Sequence, residues 1–249
     1  DRMLTLKYIN QTQHDNAQNQ PITAHYHGPT IEVQAPYVAE MARSAIVKNQ
    51  GESAYTEGFS IITTIDSKIQ SYANQALRTG LLAYTERHGF IGPLGHADPE
   101  QNDWPSDAKK LSKTNGFNIA MITDASKTQA KALLPDNQTT ITIPWSEIKW
   151  ARKRLSNGYT GKPPSEAQQV LTPGDIVHVR KHGKKWHLTQ IPKAQGTLIA
   201  MNPNNGAILG LCGGFDYHLS AYNRAIQAQR QPGSAFKPFI YAAALASNM

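Results

Sequence analysis

The chain has 249 residues, 39% of them hydrophobic and 17% charged, with a formal net charge of +7. That length allows a real core and one to two domains, and no apolar run approaches the about 20 residues a membrane-spanning helix needs. The single cysteine, Cys212, excludes an internal disulfide and a cysteine-rich zinc site. The positive charge fits several kinds of anionic partner: nucleic acid, an acidic membrane surface or an acidic glycan.

No secretory signal opens the sequence, which begins at Asp1 without an initiator Met. The expectation is a piece of a larger protein, with any export signal or membrane anchor upstream. Residues 1–35 are polar and rich in Gln and Asn, and read as a short helix followed by connecting chain. From Tyr37 to Asn49, Val38, Met41, Ala42, Ala45 and Ile46 fall at helical spacing behind Pro36. The Ile- and Thr-rich run Phe59–Ile65 reads as a strand. Asp66 stands where an N-cap belongs, ahead of a long helix whose predicted apolar stripe is Ile69, Tyr72, Ala73, Ala76, Leu77, Leu81 and Tyr84, with Gly89 as the stop. Gly92 to Lys113 carries loop signals.

A different pattern begins near Gly116. FNIAMIT, KTQAKALL, TTITIPW, DIVHVRK and KWHLTQI are five short strand-like runs, which predict a small five-stranded barrel of the OB-like kind. Between the third and fourth lies a long excursion from Ser146 to Leu171, helical at first and then loop-like. After Gly196, GTLIAMNP and AILGLCGG flank Asn204-Asn205-Gly206 and predict a hairpin. A final apolar helix starts at Gly233-Ser234, and because its later turns are apolar all round it is expected to be buried.

Chemistry points to that last helix. Serine is a poor nucleophile until a base takes its proton, and residues three apart on a helix share a face, so S-x-x-K can set an amine beside a hydroxyl. The spacing occurs three times, at Ser106/Lys109, Ser146/Lys149 and Ser234/Lys237. The first lies in loop-rich sequence and the second in a solvent-facing helix pattern around Glu147, so both read as exposed polar residues. Ser234 and Lys237 follow a Pro232-Gly233 turn and share a face with Tyr241, while Phe236, Phe239 and Ile240 lie opposite. They are the candidate nucleophile and its proton acceptor, with the helix N-terminus available to a developing oxyanion. On pattern alone a plain N-cap with a snorkelling lysine weighs about equally. Pro238 removes one backbone donor early in the helix, which is therefore expected to start at Ser234 or to bend at the proline.

RQPGSAFKPFIYAAAL resembles the nucleophile segment of class A, bifunctional penicillin-binding proteins. GTLIAMNPNNGAILGLCGGFDY is similar to the first hairpin of their transpeptidase domain, and EGFSIITTIDSKIQSYANQAL to the region that precedes it. TIPWSEIKWARKRL with LTPGDIVHVRK resembles the OB-like insert of the penicillin-binding protein 1A branch of Gram-negative bacteria. The resemblance implies a mixed α+β, multi-domain chain: a linker over 1–57 after an absent glycosyltransferase domain, a strand and helix over 58–112, the OB-like barrel over 113–194, and the start of a β-lactamase-like serine transpeptidase domain over 195–249. It implies a d,d-transpeptidase in which Ser234 is acylated by peptidoglycan stem peptides, or by β-lactams that mimic them, with Lys237 as proton acceptor. It also implies a place at the periplasmic face of the inner membrane, reached through a missing upstream helix. The S-x-N element and K-T-G strand of that family do not occur in the remaining positions, so the chain alone is expected to be inactive.

No cofactor pattern is read, and no metal site: His25-Tyr26-His27 lacks a matching acidic cluster. The basic run His178–His187 is read as a solvated strand edge in preference to an anion-binding strip. Cys212 reads as a small buried hydrophobe, and Trp145 and Trp150 as a cover for the barrel. Alternatives are a non-catalytic OB-like module that docks a regulatory protein or glycan, then nucleic-acid binding through the barrel, then a β-lactam hydrolase.

Overall fold

The computed structural model describes residues 1–21, 23–24, 28, 30–98, 104–111, 114–135 and 139–247. They divide into two compact units, Asp1–Glu32 and Val33–Met249. The first holds two helices where the composition predicted one, α1 (Arg2–Thr5) and α2 (Gln11–Asn19). Asn10 and Gln13 start α2 with a reciprocal capping box, which satisfies two otherwise orphan donors.

The second unit opens with α3 (Pro36–Gln50), entered through Pro36 and burying Tyr37. The expected strand over Phe59–Ile65 does not form. A β-rich sequence still needs an edge to pair with, and this one reaches a strand only at its end, where Thr64 Oγ1 donates to the Ile208 carbonyl (2.7 Å) and the Asp66 amide to that of Leu209 (3.0 Å). Ile62 is left 96% exposed. Asp66 then caps α4 (Ser67–Arg87), its carboxylate accepting from the Lys68 and Ile69 amides at 2.9 Å.

The buried face of α4 departs from the predicted stripe. Ala73 and Leu81 are inside, but Tyr72 and Tyr84 face solvent, and the polar Gln70 and Thr85 are buried in their place. Thr85 returns its hydroxyl to the Leu81 carbonyl (2.7 Å), so its burial leaves no donor unpaired. Gln70 has a larger task, described with the hairpin below.

Next come β1 (Gly95–His96) and α5 (Trp104–Lys110), the latter in a stretch read as loop. Pro105 suits a first turn, where no backbone donor is lost, and Trp104 and Ala108 pack on Ile119, Met121 and Ile176 as a small second core. The five predicted strands follow as β2 (Phe117–Ala125), β3 (Gln129–Leu133), β4 (Thr140–Pro144), β5 (Asp175–His182) and β6 (Lys185–Thr189). All pairs are antiparallel in the order β6-β5-β2-β3-β4, with β1 beside the start of β5. A break in register between Ile122 and Asp124 bends β2, and the end strands β4 and β6 approach each other. The result is an OB-like curl around Ile122, Ile143, Val179 and Leu188, all fully buried. Trp145 and Trp150 pack on that core, and the Trp150 indole donates to the Leu188 carbonyl (3.0 Å). The excursion between β4 and β5 is less helical than expected: two 3-10 turns, Trp145–Glu147 and Ala167–Gln169, interrupt irregular chain.

The predicted hairpin is β7 (Leu198–Met201) and β8 (Ile208–Cys212), with Ile199 opposite Leu211. Helix α4 covers it. The Gln70 side chain, 1% exposed, accepts from the Leu211 amide (2.8 Å) and donates to the Leu211 carbonyl (3.0 Å). One primary amide thus satisfies both backbone groups of a buried strand residue, as a neighbouring strand would. Gln70→Ala would strand both groups, at a cost of about 1–3 kcal/mol for each group left unpaired. Urea unfolding followed by circular dichroism should show a clearly lowered midpoint, and an unchanged midpoint would show that water replaces the amide.

Candidate acyl-transfer site

The chain reaches the candidate nucleophile through the segment after β8, and polar contacts hold that segment against α3 and α4. Gly213 is required there by close approach: a Cβ would lie 2.5 Å from Asn223 Oδ1 and 2.8 Å from Tyr37 Cδ1. The Tyr37 hydroxyl donates to the Ser220 carbonyl (2.8 Å). Asn223 Oδ1 accepts from the Ala225 amide (3.1 Å), and the Asn223 backbone N–H donates to Gln227 Oε1 (2.6 Å). Cys212 is buried, its thiol donating to Asn74 Oδ1 (2.9 Å) and pushed up to about 11 by burial, which suits a packed group rather than a nucleophile.

Asp216 is the charged anchor of this segment. Its carboxylate accepts from the Thr114 hydroxyl, the Asn115 amide (3.1 Å) and the His218 amide (2.9 Å), with the Arg78 guanidinium 3.7 Å away. Arg78 also lies 4.3 Å over the Phe215 ring and donates to the Asn115 carbonyl (2.6 Å), so one guanidinium ties α4, the entry to β2 and this loop together. A cleft of about 520 Å³ opens beside it, bordered by Tyr37, Asn74, Arg78, Phe117, Lys181 and Asp216.

Ser234 lies in a 3-10 turn, Gly233–Phe236, and Lys237 is the first residue of α6 (Lys237–Ala246). Gly233 enters that turn in the left-handed region (φ 53°), where glycine is unstrained. Pro238 falls in the first turn of α6, which explains why the α-helix proper begins after Ser234 rather than at it. Ser234 therefore sits one turn ahead of the helix and is not its N-cap. The expectation of a buried helix is overturned. None of its residues is buried, and Phe239, Tyr241 and Leu245 are 67%, 62% and 74% exposed. Among the described residues its chief neighbour is the turn that precedes it, so an apolar sequence has no second surface to bury against. Neither Ser234 nor Lys237 makes a side-chain hydrogen bond among the described residues, and both are exposed.

Of the other S-x-x-K pairs, Ser146 and Lys149 are exposed as expected. Ser106 is exposed on α5, while the Lys109 side chain lies outside the described residues, as do His25, Tyr26 and His27. The reading of Glu147 as solvated is overturned, and that of the basic run only in part: Lys181, His182, Lys184 and Lys185 are exposed as expected, but two of its histidines are not. Glu147, His178 and His187 are buried, and Arg180 pairs in register with His187, so both lie on one face of the sheet, the one that meets α4. Glu147 Oε2 stands 2.9 Å from His182 Nδ1 and 2.8 Å from His187 Nδ1. Burial pushes the Glu147 carboxyl up, but the hydrogen bonds and charges of the two histidines outweigh it and bring it down to about 2. Sequence reading missed this cluster because its members are far apart in the chain; the only local signal was a pair of histidines flanking the β5–β6 turn.

Comparison with known proteins places these elements. The chain matches the penicillin-binding protein OB-like domain over residues 90–194 and the penicillin binding protein transpeptidase domain over 196–249. The chain belongs to the penicillin-binding proteins that join these two domains. Penicillin-binding protein 1A of Pseudomonas aeruginosa is 42% identical over 98% of this chain and 30% of its own length, and that of Escherichia coli K12 is 40% identical over 98% and 29%. The crystal structure of penicillin-binding protein 1A from Haemophilus influenzae superposes with a TM-score of 0.74 at 34% identity, covering 98% of this chain and 35% of that one. Within the family the chain thus stands on the penicillin-binding protein 1A branch, and it spans about a third of the length of these relatives.

Burial pushes the Asp216 carboxyl up, but the hydrogen bonds from Thr114, Asn115 and His218 and the charge of Arg78 outweigh it and hold it below the ordinary range. An unfolded aspartate titrates near about 3.9, so the contribution of Asp216 is complete above that value and is lost as pH falls through it toward the lower folded value. Asp216→Asn is therefore expected to lower stability at pH 7 and to flatten the acid limb of a plot of urea midpoint against pH. An unchanged limb would remove Asp216 as the anchor.

Proposed function

We propose that these residues belong to a peptidoglycan synthase whose d,d-transpeptidase uses Ser234 as nucleophile and Lys237 as the group that takes its proton. The observation that carries this reading is the Ser234/Lys237 pair at the start of α6, inside the stretch that matches the transpeptidase domain. Ser234 Oγ attacks the carbonyl between the two terminal d-alanines of a stem peptide. Its proton passes to Lys237, and the amine of the terminal d-alanine leaves with a proton as the acyl-serine ester forms. An amine from a neighbouring strand then attacks the ester, forming the cross-link and returning the proton to Ser234. A β-lactam undergoes the first step, but its ring-opened amine stays tethered, so the ester persists. The parent protein acts at the periplasmic face of the inner membrane.

The 249-residue chain by itself is proposed to be poorly acylated. Its nucleophile turn is exposed, and neither an S-x-N element following Ser234 nor a K-T-G strand is among its residues. An oxyanion donor lost from a site of this kind lowers turnover by about 10²–10³-fold. Intact mass after incubation with a fluorescent penicillin should show one adduct on the full-length protein, none on its Ser234→Ala variant, and little on the 249-residue chain. Lys237→Ala in the full-length protein should slow acylation by about 10²–10⁴-fold, the usual worth of a general base. Labelling of Ser234→Ala would remove the serine from this role, and stoichiometric labelling of the short chain would show that its site is complete.

A further inference from the structure

We propose that Glu147, His182 and His187 form a binding site for a divalent transition-metal ion of the zinc, nickel or copper kind. Glu147 stands on the 3-10 turn after β4, and the two histidines stand on either side of the β5–β6 turn. One donor atom from each lies within 4.8 Å of the other two. Two imidazole nitrogens and one carboxylate oxygen make a borderline donor set, which selects these metals over magnesium or calcium with their all-oxygen shells.

The geometry is near what an ion requires. Glu147 Oε2 is 2.9 Å from His182 Nδ1 and 2.8 Å from His187 Nδ1. With metal–ligand bonds of about 2.0–2.2 Å in a tetrahedron, neighbouring donors stand about 3.3 Å apart. Each of these two contacts thus opens by about half an ångström, and any proton on the two ring nitrogens or the carboxylate is released to solvent as the ion binds. Side-chain rotation of His182, whose ring is 61% exposed, supplies most of that movement.

The surroundings orient the least mobile ligand. His187 Nε2 is 3.0 Å from Glu86 Oε1, and Arg180 Nη2 is 3.4 Å from the same oxygen. The Trp150 ring lies parallel to the His187 ring (15°, centroids 6.1 Å apart). A carboxylate on the far nitrogen leaves Nδ1 to face the ion, the arrangement that supports metal-bound histidine generally. The nearest competing cation, Lys185 Nζ, is 4.0 Å from Glu147 Oε1 on a side chain 58% exposed, so it can turn to solvent as the ion enters. The exposed side of His182 leaves a fourth position for water.

Calorimetric titration of the 249-residue chain with Zn²⁺ should show one saturable equivalent. His182→Ala, an exposed position whose loss leaves the barrel core intact, should weaken that binding at least about tenfold, and Glu147→Gln should do the same. At one Zn²⁺ concentration the thermal midpoint of the unsubstituted chain should rise clearly more than that of His182→Ala, because an ion stabilises the folded state in proportion to how tightly it binds there. Absence of saturable uptake would overturn the site. Uptake unchanged in His182→Ala would also overturn it, by placing the ion on other histidines.

Discussion

Helix α4 is fixed near both ends by buried or half-buried polar side chains, and the placement of the hairpin and the OB-like sheet of the larger unit follows from that. Near its start, Gln70 stands in for a strand partner of Leu211 and thereby holds the β7–β8 hairpin. Near its end, Glu86 meets His187 and Arg180 and thereby holds the OB-like sheet. Midway, Arg78 reaches the loop of Asp216. Apolar burial alone would let the helix rotate or slide among similar packings. Directional hydrogen bonds in a low-dielectric seam admit few alternatives, since each unpaired group there would cost free energy.

This arrangement gives the part of the chain that matches the transpeptidase domain a platform, to which the helix carrying the candidate pair is not packed among the described residues. The hairpin and the loop from Gly213 to Asn223 are locked by Asn223, Tyr37 and Asp216. Beyond them Ser234 and Lys237 begin a helix whose aromatic and aliphatic side chains face solvent. A nucleophile needs more than position: its base must be desolvated and its oxyanion donors fixed. Among the described residues Lys237, the candidate base, is exposed rather than desolvated. The packed platform and the exposed helix α6 are therefore expected to differ in local stability.

The sequence was most legible where one side of an element faces solvent. Four of the five runs that form the barrel strands alternate apolar and polar residues, and Asn204-Asn205-Gly206 marks the hairpin because Gly206 takes the positive φ (73°) of its turn. It was least legible where polar groups are buried. Gln70 and Glu147 looked like surface residues, since no local pattern shows that a backbone strand or two histidines will meet them. The strand expected at Phe59–Ile65 failed for the converse reason: its residue types suit a sheet, but among the described residues it meets a strand only at its end, beside Ile208 and Leu209. At the site itself, the serine–lysine spacing was visible and the helix start was displaced by Pro238, whose ring suits a first turn better than the middle of one.

Hydrogen exchange on the 249-residue chain tests the separation of the platform from helix α6 most directly. The amides of α4 and β8 should exchange slowly and together, close to the limit set by global unfolding, while those of α6 exchange orders of magnitude faster. Protection of α6 equal to that of α4 would contradict the account, because it would mean that the helix bearing Lys237, and with it the turn of Ser234, is docked and held by these residues alone.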